Sequence, residues 1–462
     1  MVEVLKKIEK YYKIAIVLVD LVIINIAYII AFYIKFGFDI PQRNFMTYLE
    51  AVPFITIAAL VYFDIYGLLK FYRKALYDTI ISIVYVVFLL GITTVAITYF
   101  NQGFAFPRSV LLTTPAVQFI LLLIWKWLVL GIRNYLTTHS RSNLMVVGEN
   151  READIIVEKV SFARTDSPLN VKYIVDPSDI NTIIKKIKNV DEVLICPGVG
   201  DERKMEIISH CIGYRRVVYV VPNLFEISLL NAKLMQFEDV PAFMIDSLEL
   251  SIEQRFFKRL FDIVLSLIGL LVSLPIFLVL IPTIRLTSPG KAIYTQQRVT
   301  KNNKVFNIYK FRTMYEDAET KTGPVISGEY DPRVTPVGRI LRKLRLDEIP
   351  QLFNVLAGDM SLIGPRPERP YFVEQFSKDI PEYNYRNAVK AGITGYAQLL
   401  GKYDTSPEDK LRYDLMYIKN YSLLLDIKLL LQTAKVFFMG KRMFNRSYSN
   451  NNAGQSQKAI HF

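Results

Sequence analysis

The pattern of apolar and polar positions divides the chain into three stretches. Four long apolar segments lie at about residues 14–34, 51–69, 79–100 and 109–130. Each matches the ~20 residues a helix needs to cross the hydrocarbon of a bilayer. Residues 1–135 are therefore expected to form a four-helix transmembrane bundle. The first segment follows Lys6, Lys7, Lys10 and Lys13 and is too long for the core of a signal peptide, so it reads as a retained anchor. From about residue 141 the rhythm shortens. Apolar runs at 144–147, 171–175, 192–196 and 217–221 alternate with helix-like stretches at 151–162, 179–188 and 201–213. That alternation predicts successive βαβ units on a parallel sheet, a Rossmann-like α/β domain over 141–245. Residues 251–445 predict a third, mostly α-helical domain. Within it, 423–439 is amphipathic, with Asp426, Lys428 and Lys435 on its polar side, and reads as an interfacial helix. The polar tail 446–462 is expected to be disordered.

Flanking charges orient the spans. The N-terminus, the 70–78 loop (Lys70, Arg73, Lys74) and the segment after the fourth span (Arg133, Arg141) hold nine Lys/Arg, against three in the opposite loops (Lys35, Arg43, Arg108). By the positive-inside rule both ends of the bundle are cytoplasmic. Asp20, Asp64 and Lys126 lie near span ends or on one face. Snorkelling or interhelix hydrogen bonding accounts for them better than a transport role.

Composition sharpens this picture. The 462 residues are 52% hydrophobic yet carry a net charge of +13. So much apolar content excludes wholesale disorder. Together the two properties argue against a basic soluble nucleic-acid binder and for a membrane protein with a basic soluble part. By count, residues 251–462 hold 31 Lys+Arg and 19 Asp+Glu, a net of +12, while the first 250 hold 25 and 24, a net of +1. The two cysteines, Cys196 and Cys211, cannot build a disulfide framework or a four-ligand zinc site. With only His139, His210 and His461, histidine-based chemistry has little to work with, and carboxylates are the better candidates.

Two segments have open readings. The first predicted strand of the α/β domain leads into Gly148-Glu149-Asn150 and reaches Ala153. A dinucleotide fingerprint requires glycine where Asn150 stands, so that backbone can approach a pyrophosphate. A structural or regulatory domain is the better reading, and nucleotide binding stays open. Residues 260–284 are long enough to span, but a crossing would carry the most basic part of the chain outside, against the positive-inside tendency. Pro275 stands mid-segment, where it removes a backbone hydrogen bond and bends a helix. The expectation is a re-entrant helix hairpin that enters the inner leaflet and returns, with an ordinary kinked span as the alternative.

Candidate chemistry concentrates in residues 291–402, in four clusters. Lys310-Phe311-Arg312-Thr313-Met314 follows a strand-like VFNIY. Arg339, Arg342 and Arg345 recur at every third position beside Ile340, Leu341 and Leu344, which suggests an amphipathic helix at a membrane surface. The run LDEIPQLFNVLAGDMSLIGPRPE occupies 346–368, and AGITGYAQLLGK occupies 391–402. Pro350 suits the first turn of a helix through about 357, which puts Asp347 and Glu348 at its N-terminus, where free N–H groups stabilise negative charge. Adjacent carboxylates point in different directions, so one can attack a phosphoryl group while the other holds a cation. A hard ion such as Mg²⁺, held by Asp347 and Glu348, would bridge phosphates and screen the like charges. Lys310, Arg312, Arg342 and Arg366 could bind the same phosphates, Arg through its planar fork. Gly364-Pro365-Arg366-Pro367 fixes the backbone around Arg366.

The ordered combination resembles the bacterial sugar transferases, or polyprenyl-phosphate phosphoglycosyltransferases, in their long polytopic form. The likeness covers about residues 250–440, and the preceding spans and α/β domain fit that form. It implies transfer of a sugar-1-phosphate from a UDP-sugar to undecaprenyl phosphate with release of UMP, the first membrane step of exopolysaccharide, capsule or O-antigen synthesis. In that family the Asp of the Asp-Glu pair is the nucleophile and the Glu helps hold Mg²⁺, roles that carry to Asp347 and Glu348. The re-entrant helix of the family breaks at a proline matching Pro275. Its phosphate- and nucleotide-contacting residues match Lys310, Arg312, Arg342 and Arg366, with Asp414 a weaker correspondence. The family commonly closes its GITG segment with Gln-x-x-Gly-Arg, and this chain has Gln398-Leu399-Leu400-Gly401-Lys402. Lysine keeps the charge and loses the fork, a departure that bears on nucleotide or sugar preference more than on the reaction.

These expectations place the chain in the bacterial inner membrane as a multi-pass protein, with its third domain cytoplasmic and drawn to the anionic lipids of the inner leaflet. A homodimer through the spans or the middle domain is among the open options, as are the sugar and the polymer. The competing class is a non-catalytic membrane scaffold or regulator of polysaccharide assembly, with 141–245 as its sensor. The intact Asp-Glu-x-Pro-Gln run argues against it.

Overall fold

A computed structural model describes residues 2–69, 76–100, 106–137, 142–162, 169–245, 247–315, 331–401 and 405–439. Lys70, Arg73, Lys74, Arg141, Lys402 and the tail 446–462 lie outside the described residues. The chain divides into two compact units between Val221 and Pro222.

The first unit begins with four helices, α1 (Val2–Phe36), α2 (Gln42–Ile65), α3 (Leu76–Phe100) and α4 (Arg108–Thr137). All four are long and apolar enough to cross a membrane. α1 packs on α4 and α2, and α3 packs on α4 and α2. Polar groups within these apolar helices meet across the helix contacts. Tyr28 Oη and Thr94 Oγ1 are 2.6 Å apart, as are Lys126 Nζ and Asp20 Oδ2, both of the latter buried. Tyr62 Oη lies 2.7 Å from Thr93 Oγ1. A polar atom in hydrocarbon must find a protein partner, and the pairing of Asp20 with Lys126 is the interhelix role expected of those charges.

The unit continues as β1 (Ser142–Val147), α5 (Asn150–Phe162), β2 (Leu169–Val175), α6 (Ile180–Ile187), β3 (Glu192–Ile195), α7 (Asp201–Gly213) and β4 (Val217–Val220). The strands form a parallel sheet in the order β2-β1-β3-β4, with Leu144–Val147 of β1 buried at its centre. A Cβ on Gly148 would lie 2.5 Å from Cys196 Sγ, so that glycine serves strand packing. In the loop after β3, the Gly198 N–H donates to both Glu152 carboxylate oxygens, at 3.3 and 3.2 Å.

The second unit opens with α8 (Leu224–Ser228) and the antiparallel hairpin of β5 (Lys233–Phe237) and β6 (Val240–Met244). α9 (Ile252–Thr287) starts at a capping box made by Ser251 and Gln254 and runs 36 residues through Pro275 and Pro282. It is the fifth helix long and apolar enough to cross a membrane. β7 (Ile293–Val299) pairs antiparallel with β8 (Val305–Phe311), and α10 (Pro336–Lys343) and α11 (Gln351–Ala357) follow. β9 (Ser361–Ile363), α12 (Pro370–Asp379), a 3-10 stretch (Pro381–Ala388), β10 (Gly392–Thr394), α13 (Tyr396–Leu400), α14 (Pro407–Lys419) and α15 (Leu423–Met439) complete the unit.

Its main core gathers Phe306 and Ile308 of β8, Val355 of α11, Ile363 of β9, Tyr383, Leu411 and Leu415 of α14, and Leu429 of α15. The first turns of α9 are pinned to this core by charge. Lys258 Nζ meets Asp426 Oδ2 at 2.6 Å, Arg259 donates to the Val355 and Leu356 carbonyls at 2.5 and 2.8 Å, and Asp262 accepts from Ser361 Oγ and Leu362 N at 3.1 and 3.0 Å. The far half of α9 joins a second cluster, where Ile284, Phe277 and Ile281 meet Phe311 and Leu341. Asp426 corrects one expectation. It is fully buried rather than on a solvated face of α15, because Lys258 and the Tyr417 hydroxyl (2.8 Å) satisfy it inside.

Candidate active site

The site is built where β8, the turn before α11 and the loop after β9 converge. β8 delivers Lys310 at its end. Asn354 of α11 fixes that strand by accepting from Tyr309 N–H at 2.9 Å and donating to the Asn307 carbonyl at 2.8 Å. Beyond β8, the chain passes so close to α10 that a Cβ on Gly338 would fall 2.0 Å from the Thr313 carbonyl oxygen. Arg345 takes a left-handed conformation (φ 50°) that ends α10 and turns the chain into a 3-10 turn, Leu346–Glu348. Asp347 and Glu348 thus sit in this turn, with α11 starting at Gln351 and closed by Gly358 at φ 90°.

The two acids have unequal surroundings. Glu348 Oε1 lies 3.5 Å from Lys310 Nζ and 3.4 Å from an Arg366 terminal nitrogen. Burial works against its charge, but Lys310, Arg366 and Arg345 more than reverse that and hold its carboxyl down at about 2. Asp347 is pushed the other way, up to about 6, by burial and then by the Glu348 charge, against the pull of Lys310, Arg342 and Arg366. The site therefore favours the charge of Glu348, through Lys310, Arg366 and Arg345, and opposes that of Asp347, through desolvation and a like charge. Burial presses the Lys310 ammonium below its ordinary range, and Glu348 opposes that.

Arg366 projects from a loop that is otherwise packed away: Gly364, Pro365 and Pro367 are buried and Arg366 is exposed. Glycine is required on both sides of this packing. A Cβ on Gly364 would lie 2.4 Å from the Lys390 carbonyl oxygen, one on Gly392 2.1 Å from Gly364 N, and one on Gly395 2.2 Å from the Gly364 oxygen. The GPRP and AGITG segments are thus two faces of one backbone contact, sealed by Gly364 N–H to Thr394 O and Gly392 N–H to Pro365 O, both 2.8 Å.

The structure gathers Asp347, Glu348, Lys310 and Arg366, and sets Arg342 beside them with its Nε on Thr313 Oγ1 at 2.8 Å. Arg312 is turned elsewhere. Buried, it donates to the Ser288 carbonyl (2.7 Å), Ser288 Oγ (2.9 Å) and the Pro289 carbonyl, closing the C-terminal end of α9. Asp414 lies behind the GPRP loop in a buried pair with Arg386. Both amide atoms of Gln398 are sheltered and have no protein partner. Pro275 lies within α9. Sequence reasoning did not single out Arg298, Asn354 or Arg386. No spacing marks them, since each acts on backbone carbonyls or amides that only the fold brings near.

Among the described residues no group of three or more His, Cys, Asp or Glu side chains could hold a metal ion. The adjacent Asp347 and Glu348 carboxylates nevertheless suit Mg²⁺, which is commonly held by one or two carboxylates while substrate phosphates and water fill the remaining positions.

The sequence model of the bacterial sugar transferase family matches residues 253–440. A Bacillus subtilis (strain 168) protein, named as a candidate undecaprenyl-phosphate N-acetylgalactosaminyl 1-phosphate transferase, is 50% identical over 157 residues, 34% of this chain and 78% of its own length. The chain belongs to the bacterial sugar transferase family. Two longer relatives agree. The UDP-N-acetylgalactosamine-undecaprenyl-phosphate N-acetylgalactosaminephosphotransferase of Aeromonas hydrophila is 45% identical over 188 residues, 40% of this chain and 44% of its own. The undecaprenyl-phosphate glucose phosphotransferase of Komagataeibacter xylinus is 35% identical over 266 residues, 55% of this chain and 50% of its own. The chain thus spans about half the length of these two relatives. The region matched by the family model contains every gathered site residue.

Proposed function

We propose that this sugar transferase family member moves a sugar-1-phosphate from a UDP-sugar to undecaprenyl phosphate. The relatives whose names give these acceptors and sugars support the substrate class. The observation that carries the mechanism is the inequality of the acid pair. Glu348 is clamped by Lys310 and Arg366, whereas Asp347 is the acid whose charge the site stabilises least. A carboxylate with a raised pKa is the better nucleophile of two, provided it is ionised.

In the first step an Asp347 carboxylate oxygen attacks the β-phosphorus of the UDP-sugar. The bond to the bridging oxygen breaks, and UMP leaves with that electron pair. The sugar phosphate is then an acyl phosphate on Asp347. In the second step a phosphate oxygen of undecaprenyl phosphate attacks the same phosphorus and returns the carboxylate. Lys310 and Arg366 are placed to neutralise phosphate oxygens as charge develops, and Arg366 can do so through two parallel donors. Asp347 and Glu348 would hold Mg²⁺, whose chemistry when bound is to draw charge from the diphosphate.

The lipid acceptor requires a site at the membrane, and α9 supports a re-entrant reading. Both of its halves contact one short helix: Arg259 reaches Val355 and Leu356 of α11, and the Phe277 ring lies 5.8 Å from that of Phe353. In a straight helix residues 259 and 277 would stand about 27 Å apart. Their partners are within about 5 Å along α11. A bend at Pro275 accommodates both. With its two ends tied to one compact unit on the cytoplasmic side, α9 enters the inner leaflet and returns. A cysteine in place of Lys301 should then be labelled only from the cytoplasm, and labelling from outside would refute the hairpin.

The decisive assay is UMP release from a panel of UDP-sugars with undecaprenyl phosphate and Mg²⁺. Asp347→Asn should abolish both turnover and covalent labelling by the cognate UDP-sugar. Substantial retained activity would exclude Asp347 as nucleophile.

A further inference from the structure

We propose that Arg386 and Asp414 are positioning residues, which hold Arg366 against Glu348 from behind and do not touch the substrate. The inference deepens the reading above and depends on it only for what Arg366 does in catalysis.

Arg386 lies in the 3-10 stretch before β10 and is 3% exposed. One of its terminal nitrogens pairs with Asp414 Oδ2 at 2.7 Å and also donates to the Arg366 carbonyl at 3.0 Å. The other donates to Tyr383 Oη at 2.6 Å. Asp414, on α14, is 1% exposed. Withdrawing a guanidinium and a carboxylate from water is costly, and the one backbone oxygen that this pair holds belongs to the residue whose side chain faces the acids.

The neighbouring carbonyls are gripped in the same way. Pro365 O accepts from Gly392 N–H at 2.8 Å, and Pro367 O from Arg298 at 3.1 Å. Three consecutive carbonyls are therefore held from three different elements, and Arg386 supplies the central one. A planar fork meets acid, hydroxyl and carbonyl together, which a lysine ammonium cannot reproduce although it keeps the charge. The line from Asp414 through Arg386 and the Arg366 backbone to the Arg366 guanidinium ends 3.4 Å from Glu348. The family resemblance carries Asp414 over, more weakly than the cations, as a phosphate- or nucleotide-contacting residue, but its burial and its partner assign it to the support of this loop.

The test uses the full-length protein in lipid nanodiscs and two variants, Arg386→Lys and the milder Tyr383→Phe. Hydrogen exchange of the peptide covering residues 361–369 is read by mass spectrometry. Arg386→Lys should speed its exchange about tenfold or more with the rest of the protein unchanged. UMP release is measured in parallel. Because a displacement of about 1 Å can cost ~100-fold, Arg386→Lys should lower kcat/KM by about 10- to 100-fold, mainly in kcat. The same substitution in an Arg366→Ala background should change kcat/KM less than about threefold. Unchanged exchange, or losses that simply multiply, would overturn the proposal. If Arg386→Lys does not fold, Tyr383→Phe decides by the same two readings, with smaller effects expected and none refuting. Absence of UMP release from wild-type protein would sink the transfer reaction and leave the exchange measurement to judge the positioning.

Discussion

Two neutralising substitutions at adjacent positions should change stability in opposite directions. Asp347→Asn removes a carboxylate whose charge the folded site opposes. Its pKa rises from 3.8 to about 6, because it is partly buried and beside Glu348. At about 1.4 kcal/mol per unit this amounts to about 3 kcal/mol of folding free energy lost at neutral pH, as an upper bound. Glu348 falls from 4.5 to about 2, a gain of similar size supplied by Lys310 and Arg366. Asp347→Asn should therefore stabilise the protein by about 1–3 kcal/mol at pH 7.5. Glu348→Gln should destabilise it comparably and leave two cations facing one another. For a unit of this size each kcal/mol moves the melting temperature by about 2–4 °C, so shifts of several degrees in opposite directions are expected by differential scanning fluorimetry. The pH dependence supplies a second check. A carboxyl raised in the folded state contributes stability below its unfolded pKa and loses it as pH rises through the folded one. The advantage of Asp347→Asn should thus be absent below about pH 4, grow to about pH 6 and stay constant above. If Asp347→Asn melts at or below wild type at neutral pH, or its advantage persists undiminished at pH 4, the acid pair is not unequal in this way.

Three further outcomes follow from other contacts. If Asp347 attacks as proposed it must be ionised, so kcat/KM for the UDP-sugar should fall as pH drops through about 6; an acid limb near 4 would show that the attacking group is not a carboxyl raised in this way. Arg312→Met should lower stability by about 2–4 kcal/mol by stripping charged donors from the end of α9, with KM for the UDP-sugar changed less than about twofold; an unchanged melting temperature with a tenfold higher KM would restore Arg312 to the phosphates. Lys126→Met should cost about 3–5 kcal/mol by leaving Asp20 buried alone, and Asp20→Leu combined with it should recover most of the loss; equal stability of single and double variants in thermal melts would show that the pair is not dry.

Much of the fold was legible because its elements announce themselves over short windows. The spans are apolar for their full length, and β1 is a continuous buried run beside helices of ordinary period. The unit boundary was less so. Residues 222–245 carry no linker-like composition, and only packing shows that α8 and the β5–β6 hairpin group with the second unit. Asp426 misled because helical periodicity locates a polar side chain on a face without revealing whether Lys258, 168 positions away, will meet it there.

At the candidate site, the sequence identified residue types and the fold separates their roles. Arg312 and Arg366 look alike in sequence, each a cation in a tight polar motif. The fold points one at the carbonyls that end α9 and the other at Glu348. The sequence reads GPRP as fixing the backbone around Arg366, and the fold shows how, since Gly364, Gly392 and Gly395 are where backbones touch and leave no room for a methyl group. Rigidity rather than freedom is what these glycines supply. A loop whose three carbonyls are each held by a separate donor cannot easily swing Arg366 away from Glu348. With Arg366 fixed and Lys310 tethered through Asn354, Glu348 stays charged at any pH the cell offers, and its charge is one of the two causes that raise the pKa of Asp347. Lys310 and Arg366 therefore act on Asp347 in two opposed ways, lowering its pKa directly and keeping charged the acid that raises it.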